Sequence, residues 1–100
     1  MLELLTVSQF AECLGSKFRI HYGAAAPLDV ELIEATPSGA PGRSAPGGRE
    51  PFSLVFRGAM QPIVWQQVCR FEHDELGPLE LFLVPIGPDE VGMCYQVIFN

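Results

Sequence analysis

A small antiparallel β-barrel or rolled sandwich of about six strands, with a short N-terminal helix, is the fold class this sequence predicts. Short segments that alternate apolar with polar residues recur along the chain, and Gly- and Pro-rich turns separate them. No helical pattern falls between the strands, as a parallel β-α-β architecture would require. One hundred residues supply a single core, so residues 1–100 read as one β domain. At 48% hydrophobic and 18% charged, the chain is globular and not disordered in type.

The helix comes first. Thr6 and Gln9 fit a capping box, and Leu5 and Phe10 occupy the two positions of a hydrophobic staple. Val7, Phe10, Ala11 and Leu14 share one helical face, and Gly15 supplies the stop. A helix over about Val7 to Leu14 follows; at two turns it must dock on the sheet to persist.

Lys17 to Tyr22 forms the first strand, with Phe18, Ile20 and Tyr22 inward. The chain turns over Gly23–Pro27 and returns along Leu28 to Glu34. Side-chain chemistry favours Tyr22 opposite Leu28, Ile20 opposite Val30 and Phe18 opposite Leu32, with His21 facing Asp29 and Arg19 facing Glu31. The Thr36–Arg49 segment is rich in Gly, Pro and Ser and reads as a flexible loop between strands, with too little apolar surface to offset its ordering entropy.

Pro51 to Gly58 is the next strand, with Phe52, Leu54 and Phe56 inward. A connector, Ala59 to Gln67, resists assignment; its Met60, Ile63 and Trp65 are expected to plug the barrel mouth or pack beneath the connector. Gln67 to His73 alternates as a strand, Asp74 to Pro78 is turn material, and Gly87 to Glu90 is a second turn. The last strand runs from Val91 or Met93 to Phe99. The predicted core comprises Phe18, Ile20, Leu32, Leu54, Phe56, Leu81, Leu83, Tyr95 and Val97.

Leu79 to Ile86 is the exceptional strand, because it is apolar on both faces: Leu79, Leu81 and Leu83 on one side, Phe82, Val84 and Ile86 on the other. Such a strand must be covered twice. The second cover is the protein's own helix or another protein. Apolar residues outside the inward alternation are Ile33, Val55, Phe82, Val84, Ile86 and Ile98, and part of this set is expected beneath the helix. The candidate protein interface is Val55, Phe82, Val84, Ile86 and Ile98.

Chemistry is harder to find. Six Lys and Arg against twelve Asp and Glu give a net charge of −6, and the cations are scattered, which argues against nucleic-acid binding. Met1-Leu-Glu-Leu-Leu5 lacks the basic start of a secretion signal, and no apolar run reaches membrane length. The expected location is the cytoplasm, unless the chain leaves as part of a larger assembly. Cys13, Cys69 and Cys94 have no metal or disulfide spacing and read as buried thiols.

His73-Asp74 is the most tempting reactive pair, but neighbouring strand residues point to opposite faces, and a surface or cross-strand hydrogen bond suffices for His73. No nucleophile elbow, phosphate loop or calcium loop occurs. No catalytic, metal or cofactor-binding residue is assigned, and no cofactor is expected.

Several segments nevertheless form a pattern: Phe10-x4-Gly15-x2-Phe18, Pro51-Phe52-Ser53-Leu54-Val55-Phe56-Arg57-Gly58, Phe71-Glu72-His73-x2-Leu76-Gly77, Leu81-Phe82-Leu83-Val84-Pro85-Ile86-Gly87 and Tyr95-Gln96-Val97-Ile98-Phe99-Asn100. By these the chain resembles a small uncharacterised bacterial domain family whose members often accompany phage tail-collar-like fibre proteins. That resemblance covers nearly the whole chain except the Thr36–Arg49 loop and implies no catalytic residue. The expected function is a non-enzymatic structural or adaptor domain that binds a protein partner or a second copy of itself. It would do so by burying an apolar strand face or by adding a partner strand to an open edge. The alternative is a small-ligand barrel with Trp65, Tyr22 and Tyr95 lining a cavity; a small hydrolase using His73 or His21 with Cys69 ranks last.

Overall fold

A computed structural model describes residues 5–23, 26–37 and 51–99. Six antiparallel strands follow one short helix: α1 (Val7–Ala11), β1 (Lys17–His21), β2 (Leu28–Pro37), β3 (Phe52–Gly58), β4 (Gln67–His73), β5 (Gly77–Pro88) and β6 (Met93–Phe99). They close into a barrel in the order β1-β2-β3-β6-β5-β4. Two three-stranded meanders, β1-β2-β3 and β4-β5-β6, are therefore joined along two seams, β3 to β6 and β1 to β4.

Alternation fills the interior. All nine predicted core residues are buried, together with Phe10, Val30, Phe52, Val64, Cys69, Phe71, Leu79 and Phe99. Aromatic rings lock the centre: Phe18 meets Phe56 edge-on at 5.1 Å, and Phe56 meets Phe71 at the same centroid distance.

The helix is shorter than its spacing predicts. Thr6 caps it and completes the capping box with Gln9, but regular helix ends at Ala11, and residues 12–15 are turn. Cys13 is buried in place of Leu14, which is exposed. The helix also closes an end of the barrel and does not cover an outer face. Phe10 reaches Phe52 and Phe99 at the end of the β3–β6 seam, with ring centroids 5.8 and 5.4 Å away.

The β1–β2 pairing differs from the expected one by two residues: Phe18 lies opposite Val30, Arg19 opposite Asp29 and Ile20 opposite Leu28. A slip of two keeps every side chain on its face, so alternation cannot detect it. The turn after the helix sets the register. Gly15 N–H donates to the Leu32 carbonyl and Leu32 N–H to the Ser16 carbonyl, so Leu32 sits beside Ser16 and not Phe18.

β2 extends through Thr36 and Pro37, which pair with Ser53 and Phe52, so those two residues belong to a strand and not to the predicted loop. The rest of that loop, residues 38–49, lies outside the described residues. The connector after β3 inserts Val64, which is buried; Trp65 is 67% and Met60 45% exposed. Val64 and the partly buried Ile63, not Trp65, pack into the core there. Tyr95 anchors the segment, its buried hydroxyl accepting the Val64 N–H at 3.1 Å.

Candidate functional site

The outside of the barrel has two characters. On β4-β1-β2 the outward positions around β1 are charged or ionisable and face one another in register: Lys17 with Glu31, Arg19 with Asp29 and Glu72, His21 with Arg70. His21 Nε2 lies 2.6 Å from Glu72 Oε1, and Arg70 Nη2 donates to Glu72 Oε2 at 2.8 Å. Those two bonds, His21's first, hold the Glu72 carboxyl below the usual glutamate range. Barrel closure thus gives His21 a glutamate on β4 as partner in place of Asp29.

On β3-β6-β5 the middle of the wall is uncharged, with Arg57 of β3 and Glu80 of β5 beyond it at either end. Val55, Gln96 and Val84 form one cross-strand row, with Gln96 opposite both valines. In the next row Ile98 lies opposite Ser53, and Phe82 lies opposite Val68 of β4. Phe82, Val84, Gln96 and Ile98 line a groove of about 440 Å³. Phe82 is 49%, Ile98 59% and Val68 60% exposed, whereas Val55 and Val84 are half-buried.

The groove thus brings together three of the five sequence-predicted interface residues, with Val55 one strand away across Gln96. Ile86 is exposed but falls in the β5 irregularity between Pro85 and Gly87, beyond the groove. Ile33 is half-buried at the matching irregularity of β2, between Leu32 and Glu34. Sequence reasoning missed Val68 and Gln96. Val68 was legible as an outward valine, but only the β4–β5 register places it against Phe82.

The reactive side chains are occupied otherwise. His73 is buried, with its ring 4.4 Å from that of Phe18, so of the two expected settings it is the hydrogen-bonded one and not the surface one that it occupies. Its turn explains why. Asp74 to Leu76 form a three-residue loop closed by Gly77 at φ 76°, and His73 Nδ1 accepts the loop N–H groups of Glu75 and Leu76 at 3.1 and 3.3 Å. This pattern assigns the proton to Nε2, which donates to Ser16 Oγ at 2.9 Å, while the Ser16 hydroxyl donates to the Cys13 carbonyl.

A serine activated by histidine needs the reverse tautomer, with Nε2 accepting the hydroxyl proton. Burial pushes the thiols of Cys13, Cys69 and Cys94 up, disfavouring the thiolate, which is the nucleophile. A cleft of about 480 Å³ beside His73 is lined by Lys17, Arg19, Asp29, Glu72 and Asp74, a mixture of both signs. Among the described residues no group of three or more His, Cys, Asp or Glu could hold a metal ion, and no helix is long and apolar enough to cross a membrane. Tyr95, proposed as a cavity wall, is fully buried within the packed core, and Tyr22 packs only partly against it.

A protein family described as a domain of unknown function (DUF6916) matches residues 5–99. No curated protein and no solved structure matches the chain.

Proposed function

The chain belongs to the DUF6916 family, and on that premise we propose that it is a non-enzymatic structural or adaptor domain whose neutral wall binds protein. The observation that carries this reading is the contiguous apolar surface of Val68, Phe82, Val84 and Ile98, set against the charged outer face of β4-β1-β2. Exposed apolar patches with polar surroundings mark interaction sites. Strand addition needs an open sheet edge, and closure of the barrel covers the long strand edges, which supports docking on the face.

The resemblance to bacterial domains that accompany tail-collar-like fibre proteins supports a place in a phage-tail-like or fibre assembly. The test is capture from host extract on immobilised protein, wild type against Phe82→Glu, with circular dichroism as the folding control. Phe82 is half exposed, so the charge is tolerated in the free domain and costly in an apolar contact. Wild type retains a discrete protein and the variant loses it; equal retention by both, or none by wild type, overturns the proposal.

A further inference from the structure

We infer that the protein docked on the neutral wall is a second copy of this chain, related to the first by a twofold axis running along β6. The inference rests on the docking role proposed above and names its occupant. Gln96 is the polar centre of the wall, between Val55 and Val84, and its side-chain amide has no hydrogen-bond partner among the described residues. Once covered, that amide needs both an acceptor for its N–H and a donor for its carbonyl. An apolar partner surface offers neither. A second Gln96 offers both.

A twofold along β6 makes this meeting automatic, because isologous contacts set each on-axis residue against itself. Gln96 then faces Gln96 and Ile98 faces Ile98, while Val84, on one side of β6, covers Val55 on the other side in the second copy. Phe82 falls across Ser53, a small residue that leaves room for the ring. Charge permits the same arrangement. Each copy carries −6 overall, yet Gln96 and Ile98, the accessible residues of β6, bear no formal charge. The two charged walls stay on opposite outer sides of the pair.

Sedimentation velocity over a rising concentration series, on the full chain, tests this. Wild type is expected to pass from monomer to dimer. Gln96→Glu sets two carboxylates face to face and is expected to raise the dissociation constant on the order of a hundredfold or more. Ile98→Glu, at a more exposed position, is expected to do the same, and it keeps the test valid should Gln96→Glu fail to fold. Glu31→Gln, on the charged wall, is expected to leave association unchanged.

A wild-type protein that remains monomeric, or one whose dimer survives both folded variants, overturns the inference. Monomeric protein that still captures another protein through Phe82 removes the second copy and leaves the docking role standing. Monomeric protein that captures nothing removes both.

Discussion

Asp89 accepts four hydrogen bonds through its one carboxylate. Arg57 donates to its Oδ2 through Nε and Nη2, and the N–H groups of Val91 and Gly92 donate to Oδ1 at 2.8 and 2.9 Å. These donors, Arg57 first, hold the carboxyl far below the ordinary aspartate range. A carboxyl depressed on folding stabilises the native state above its unfolded value of about 3.9, and that stability is lost as pH falls through the folded value. Asp89→Asn is therefore expected to lower the melting temperature at neutral pH and to shrink the further loss on acidification below about pH 4. Melting curves across that range check it.

Tyr95 makes a second residue-scale case. Removing its hydroxyl leaves the Val64 N–H buried without an acceptor, so Tyr95→Phe should cost about 1–3 kcal/mol. Denaturant unfolding reads the loss directly. His73 shows what a sequence conceals at this scale. Its neighbours marked a turn, but nothing in His73-Asp74 announced that the ring would fold back to accept that turn's own N–H groups.

At the level of elements, strand positions and inward faces could be read from alternation, whereas pairing partners could not. Gln67–His73 was legible to the residue, because apolar Cys69 and Phe71 alternate with Arg70 and Glu72. The β1–β2 register was not, since a two-residue slip changes no face and the deciding bonds come from Ser16 and Gly15. The β5–β6 hairpin holds another such constraint. A Cβ added to Gly92 would overlap the Gly58 carbonyl oxygen at the end of β3. Gly92→Ala must displace backbone that Gly58 shares with the Met93 pairing, and it should destabilise more than Gly15→Ala, where a Cβ meets no atom within 4 Å. Parallel thermal melts of the two variants test that order, with the strain of a positive φ at Gly15 setting the lower bar.

Over the whole molecule, the candidate site was half legible. The two-faced strand disclosed Phe82 and Val84 as apolar residues lacking an inward role, and Ile98 followed from the last strand. That they would share one groove depended on β5 meeting β6, and the contrast with the charged wall depended on β1 meeting β4. The first depends on a hairpin register and the second on closure of the β1–β4 seam, and alternation along a single strand encodes neither. Helix docking was misjudged for the same reason. Phe10 serves the end of a closed interior, which exists as a target only once six strands surround it.

The two closing seams also set the order of events during folding. Each meander is built from neighbouring strands, but His21 and Glu72 at the β1–β4 seam are 51 residues apart in the chain. Loop-closure entropy must be overcome before such a contact gains anything, and folding slows as mean sequence separation grows. The rate-limiting event is then expected to be the mutual docking of the two three-stranded units, which refolding rates lowered by substitutions along the seams, and not within either meander, would show. Until that moment each unit presents the raw edges that the finished barrel hides, so the chain's greatest exposure to aggregation falls before closure and ends with it.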